Sequence, residues 1–191
     1  RDPVFRIASM SKPVTVAAAM TLVDEGRLAL TDPIANWLPE LANPRVMTSL
    51  DGPLDRSVPA RRPITVEDLM THRGGLAYGF TVPPPLGRAY NKLQSLQDPD
   101  RWLAELGQLP LAHQPGDALT YSQSTDVLGF LLSRIEGKPL PDVLAERIFK
   151  PLNMVDTGFA VTHSGRRRAA TMYQLAADGD DVEVRAGLAL D

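Results

Sequence analysis

Residues 5–26 read FRIASMSKPVTVAAAMTLVDEG: two serines and a lysine stand at the head of an apolar, alanine-rich run. Val16, Ala19, Met20 and Val23 recur at helical spacing, and Ala17, Ala18 and Ala19 favour helix, so a helix is predicted over residues 12–25. Pro13 suits a first turn and Gly26 a stop. Ser9 and Lys12 are three apart, so they share a face if the helix starts near Ser9. A helix N-terminus offers unpaired N–H groups and positive potential, which suit a developing oxyanion. A partly buried lysine there has a lowered pKa and can take a proton from a serine, which makes a nucleophilic pair. The other reading is that Ser9 or Ser11 only caps the helix. Nine serines and four lysines give about 0.2 chance Ser-x-x-Lys matches in a chain of this length, so the spacing alone is a weak sign.

The rest of the composition narrows the classes. A chain of 191 residues, 43% hydrophobic and 23% charged, has the length and balance of one globular domain or part of a larger one. A net charge of −3 gives no electrostatic footprint for nucleic acid, and Arg166–Arg168 reads as a solvated helix face. No apolar run reaches membrane-spanning length. With no cysteine there is no thiol nucleophile, disulfide or thiolate metal site. No pair of His, Asp or Glu has metal-ligand spacing, so no metal and no cofactor is expected.

Along the chain the pattern is strongly helical with almost no strand. A short helix is expected over 30–41, a long proline-punctuated loop over 42–63, and a helix over 63–72 capped by Thr65 with Asp68 three residues on. RGGLAYGF reads as a glycine-rich turn and TVPPPLG as a rigid loop. Helices follow over 99–108 (Trp102, Leu103 and Leu106 inward), 124–136, 140–150 and 166–175, with VEVRAG as a strand candidate. His72 reads as a structural turn residue and His113 as an exposed loop residue.

A second constellation lies in GDALTYSQS. Tyr121 beside a cationic lysine can have its pKa lowered and serve as general base and acid; otherwise it is a turn tyrosine whose hydroxyl caps a loop. Gln123 offers an amide that both donates and accepts. Tyr78 and Phe80, after the glycine turn, either line an acyl pocket or pack locally.

FRIASMSKPVTVAAAMTLVDEGRLALTDPIANWLPEL, ITVEDLMTHRGGL, PGDALTYSQSTDVLGFLLSRIEGKPL and IFKPLNMVDTGF, in this order from residue 5 to 159, resemble the serine β-lactamase and penicillin-binding-protein superfamily, above all the class C-related family VIII carboxylesterases. RRRAATMY fits the segment that follows. The resemblance implies an α+β fold of the β-lactamase/transpeptidase type, with this chain mostly its helical subdomain and the flanking antiparallel sheet largely missing. Residues 1–191 are then a single partial domain that lacks N-terminal strands and the region of the family's third motif. It further implies that Ser9 is acylated, Lys12 is its proton partner, Tyr121 is the base, and the Ser9 N–H is one oxyanion donor. Gln123 stands where class C enzymes carry Asn, which tilts the reading toward an esterase. His163-Ser164-Gly165 matches the letters of a third motif but follows DTGFAV too closely and reads as a surface turn.

The expected activity is hydrolysis of short carboxylic esters through an acyl-enzyme on a small-molecule ester or lactam. A β-lactamase or D-amino-acid peptidase is the alternative within the class, and a non-catalytic binding module is the alternative outside it. The compartment is read as cytoplasmic, with the periplasm as the open alternative, and the oligomeric state is left open.

Overall fold

A computed structural model describes residues 2–161, 163–175 and 181–184. Its frame is two long helices in contact, α1 (Ser11–Asp24) and α5 (Ser124–Glu136). Ser9 lies in a 3-10 turn, Ala8–Met10, that runs directly into α1. The buried face of α1 is Thr15, Ala18, Ala19 and Leu22, and α5 buries Val127, Leu128, Leu131 and Leu132. Ala18 and Ala19 are fully buried, and small side chains there let a neighbouring backbone come close. Of the apolar residues at helical spacing, Ala19 is fully buried and Val16 and Val23 pack against the core, while Met20 is 43% exposed. Alanine carries little hydrophobic signal, so an alanine face is easily mistaken for the outside.

Ion pairs pin the ends of this frame. Arg147 reaches Glu25 at the end of α1 (2.8 Å), Glu136 at the end of α5 (3.0 Å) and the Thr21 hydroxyl (2.9 Å). Arg134 grips Glu40 with two bonds of 2.6 and 2.9 Å and the Trp37 carbonyl at 2.9 Å.

Several expected elements appear as read. α2 (Val66–Met70) has the reciprocal capping box: the Thr65 hydroxyl accepts from the Asp68 N–H (3.3 Å), and the Asp68 carboxylate accepts from the Thr65 N–H (2.9 Å). α4 (Pro99–Gln108) buries Leu103 and Leu106, while Trp102 stacks on Phe130 with centroids 5.3 Å apart. α5 ends at left-handed Gly137. Residues 140–150 form α6 (Leu140–Leu144) and then a wider π turn, Ala145–Phe149.

Others differ. Residues 30–41 hold two 3-10 turns, Ile34–Asn36 and Pro39–Leu41, where Pro33 and Pro39 interrupt a longer helix. The loop over 42–63 contains an antiparallel pair, β1 (Arg45–Met47) and β2 (Ser57–Pro59), too short to show alternation. α3 (Leu86–Leu93) was not expected, because Gly87 breaks its pattern. That glycine is needed: a Cβ there would stand 2.5 Å from the carbonyl oxygens of Gly79 and Val82. Residues 166–175 are not one helix. α7 (His163–Arg166) is followed by β3 (Met172–Leu175), which pairs with β4 (Asp181–Val184). His163-Ser164-Gly165 therefore lies in a helix and not on a strand; of VEVRAG, residues 185–187 fall outside the described residues.

The segment before Ser9 is strapped to the chain after α7: the Val4 N–H donates to the Arg168 carbonyl (2.9 Å), and the Val4 carbonyl accepts from the Ala170 N–H (2.8 Å). Among the described residues no helix is long and apolar enough to cross a membrane.

The observed face of α1 makes a direct prediction. Leu22→Ala, at a fully buried site, is expected to cost about 2–5 kcal/mol, whereas Met20→Ala should stay within about 0.5 kcal/mol. Urea denaturation of both variants checks it; equal losses would contradict the packing.

Candidate active site

Ser9 is exposed at the head of α1, and Ala8 before it has φ 42°, a left-handed conformation that an alanine adopts at a cost of about 1–2 kcal/mol. Strain of this kind gathers at functional positions. Lys12, one turn on, donates from Nζ to Ser9 Oγ at 3.3 Å. Tyr121, 112 residues away, shares a hydrogen bond of 2.8 Å with the same oxygen. The Lys12 ammonium also stands over two aromatic rings, 4.9 Å from the Tyr121 centroid and 5.6 Å from that of Tyr78.

Tyr121 is held by the elements around it. His72 is at the left-handed position that closes α2, with the Arg73 N–H bonded to the Asp68 carbonyl (2.8 Å) as in a Schellman ending. Its carbonyl accepts from the Thr120 N–H (3.0 Å), and its ring tilts against Tyr121 with centroids 4.9 Å apart. Nδ1 faces the Ser122 N–H at 3.3 Å, which fits a neutral ring with the proton on Nε2. His113 is half-buried rather than exposed, and its Nε2 meets the Thr120 hydroxyl at 3.1 Å. Both histidines thus fix the segment leading into Tyr121. The glycine turn beside them requires Gly75: its φ is 84°, and a Cβ would lie 2.3 Å from the His113 carbonyl oxygen.

The titration behaviour of the cluster differs from expectation at one point. Burial works against the Lys12 charge, but Tyr121 and Tyr78 outweigh it and raise its pKa above the ordinary lysine value. The surroundings of Lys12 thus favour its ammonium form. Tyr121 moves the other way, because hydrogen bonds from Ser9 and then Lys12 favour its phenolate. Burial, and then the Asp126 carboxylate, push Tyr78 up. His72 is lowered, first by burial and then by the Lys12 charge.

Tyr78 reads from sequence either as acyl-pocket lining or as local packing. Its ring does stack on Phe80 (5.3 Å, 11°), which is 75% exposed, but its hydroxyl donates to Asp126 at 3.1 Å. Gln123 is not an open amide: it is buried at the start of α5, and its Oε1 has no partner among the described residues. Asp126 escaped sequence reading, since an acid in the first turn of a helix is ordinary. A groove of about 640 Å³ runs along α5 past Pro99, Phe130, Arg134 and Leu140, and it meets this cluster only at Asp126. Among the described residues no group of three or more His, Asp or Glu is placed to hold a metal.

A family profile described as Beta-lactamase matches residues 1–189. The chain belongs to the beta-lactamase family. It is similar to an uncharacterized protein of Mycobacterium tuberculosis, 60% identical over 175 residues, which are 92% of this chain and 44% of that protein. It is similar to the esterase EstB of Burkholderia gladioli, 35% identical over 165 residues, 83% of this chain and 39% of that one. Among solved structures, EstCE1, described as a hydrolase with promiscuous acyltransferase activity, superposes with a TM-score of 0.79 at 31% identity, covering 95% of this chain and 45% of the other. The chain thus spans less than half the length of these relatives. The β-lactamase/transpeptidase-like fold, and membership of a serine hydrolase superfamily with esterase and acyltransferase members, follow.

His72 gives the site a pH signature. Because its folded pKa is depressed, its contribution to stability is full above the ordinary value of about 6.5 and is lost as the pH falls from there through the lowered folded value. His72→Asn keeps a residue that tolerates the left-handed backbone. The gap in melting temperature between wild type and this variant should narrow from pH 8 to pH 5; a constant gap would refute the neutral ring.

Proposed function

We propose that this chain carries the nucleophile, base and ammonium of a serine hydrolase that cleaves carboxylic esters by acyl transfer. The observation that carries this reading is the convergence of Lys12 Nζ and the Tyr121 hydroxyl on Ser9 Oγ, at 3.3 and 2.8 Å. Two groups of such different pKa on one hydroxyl have no structural purpose on an exposed face, and they match the needs of an activated alcohol.

Tyr121, favoured as phenolate by Ser9 and Lys12, takes the Ser9 proton as Oγ bonds to the ester carbonyl carbon. The carbonyl π electrons move to oxygen, and the Ser9 N–H at the helix start is one donor to that oxyanion. The tetrahedral intermediate collapses, the C–O bond to the alcohol breaks, and Tyr121 returns its proton to the leaving alkoxide. Water then attacks the acyl-enzyme with Tyr121 as base again, the acid leaves, and Ser9 regains its proton. Lys12 stays an ammonium throughout and stabilises whichever oxygen bears the charge.

The named relatives support ester chemistry over lactam chemistry, since EstB is an esterase and EstCE1 is described as a hydrolase with acyltransferase activity. EstCE1 also favours a second reading: an alcohol replaces water in the last step and a new ester forms. In this reading Phe80, exposed and stacked on Tyr78, contacts the acyl or alcohol part.

A fluorophosphonate probe followed by intact mass measurement tests the reading. One adduct on wild type that is absent in Ser9→Ala is expected. Tyr121→Phe should slow labelling by roughly 10²–10⁴-fold, and wild-type labelling should rise with pH through a value below that of ordinary tyrosine. No adduct on folded wild type would favour a binding module. A short p-nitrophenyl ester turned over faster than a chromogenic cephalosporin would support the esterase over the β-lactamase reading, and the reverse would oppose it.

A further inference from the structure

We propose that Tyr78 and Asp126 are a positioning pair, in which the Asp126 carboxylate holds the Tyr78 hydroxyl so that the Lys12 ammonium stays over Tyr121 and Ser9. This rests on the functional reading above and adds two residues to it. Neither touches the Ser9 oxygen; both act through Lys12.

Three observations place the pair. The Tyr78 hydroxyl donates to Asp126 Oδ2 at 3.1 Å, which fixes where the phenol oxygen lies. The Tyr78 ring stands 5.6 Å from Lys12 Nζ and 5.6 Å from the Tyr121 ring, which is itself 4.9 Å from Nζ, so the two rings stand side by side against the ammonium. Asp126 sits in the first turn of α5, five residues after Tyr121, so the same helix start sets both partners of the lysine.

The consequence is a division of labour between two phenols. Tyr78, with a carboxylate to donate to, stays protonated. Tyr121, with Ser9 and Lys12 to accept from, is the one that ionises. Such divergence between like groups marks which of them is the base. A lysine has long, flexible reach, and without the Tyr78 side of its seat it has other directions to point. Burial pushes the Asp126 carboxyl above its ordinary range, while the Tyr78 hydrogen bond and then the Lys12 charge pull it back toward the ionised form. The titratable groups facing one another here are Lys12 from α1, His72 and Tyr78 from the segment after α2, Tyr121 ahead of α5, and Asp126 within it.

The test is the second-order rate of Ser9 labelling by the fluorophosphonate from pH 6 to 10, with thermal melting as the folding check. Asp126→Ala and Tyr78→Phe should each slow labelling on the order of tenfold to a hundredfold. The double variant should be no slower than the worse single one, because both remove one device. Asp126→Asn keeps an acceptor for the phenol, so it should restore the rate to within about threefold of wild type. It should also move the rise of rate to lower pH, because a negative charge that disfavours the Tyr121 phenolate is gone. A merely structural role would not produce that displacement.

Labelling within about twofold of wild type in both Asp126→Ala and Tyr78→Phe, or additive losses in the double variant, would overturn the proposal. So would an Asp126→Asn enzyme as slow as Asp126→Ala. If Asp126→Ala fails to melt cooperatively, Asp126→Asn against Tyr78→Phe decides alone: a fast first and a slow second support the pair, and equal rates refute it. Absence of any Ser9 adduct on wild type would instead defeat the functional reading itself.

Discussion

Everything at this site depends on the contact between α1 and α5. Ser9 heads one helix and Tyr121 precedes the other, and 112 residues of chain separate two hydroxyls that lie 2.8 Å apart. No local rule sets that distance. It is set by how closely two helices pack, and fully buried Ala18 and Ala19 bring the backbone of α1 near its neighbour. A larger side chain at either fully buried position would overpack the core around α1. Arg147, bound to both helix ends at once, fixes their relative position along the axis.

The electrostatics follow from that packing. Ser9, Tyr121 and Tyr78 surround one ammonium, and burial alone would lower its pKa. The two phenols reverse the sign. In the proposed mechanism this pattern, a raised lysine beside a lowered Tyr121, suits the tyrosine as base and the lysine as its electrostatic partner. Asp126 then separates the two phenols into a permanent donor and a titrating group. His72 adds a neutral ring on the far side of Tyr121, and its left-handed backbone is the cost of ending α2 where that ring can reach.

Much of the frame was legible in the chain because its signals are local. Thr65 and Asp68 announce a capping box within four residues, and Gly137 announces a helix end. α3 was illegible because Gly87 reads as a breaker, yet it is required by carbonyl oxygens that only the folded chain brings near. The strand β3 was read as helix since MYQL carries no alternating pattern, and its partner lies across a segment that sequence cannot pair. Within the site, Ser9, Lys12 and Tyr121 stand in recognisable motifs. His72 stands in the THRGGL turn and reads there as structural, whereas Asp126 was missed because its role comes only from what it faces.

By itself, then, the sequence determined the helical elements with clear caps, the Ser-x-x-Lys and Tyr motifs, and through them the family. These are short-range patterns, and short-range chemistry suffices to read them. Only the tertiary structure decided which face of α1 is inward, that Gln123 is buried while Tyr78 meets a carboxylate, and that two phenols raise the Lys12 pKa against burial. Each of these depends on groups far apart in the chain, and a pKa is a property of the surroundings, which exist only once the chain has folded.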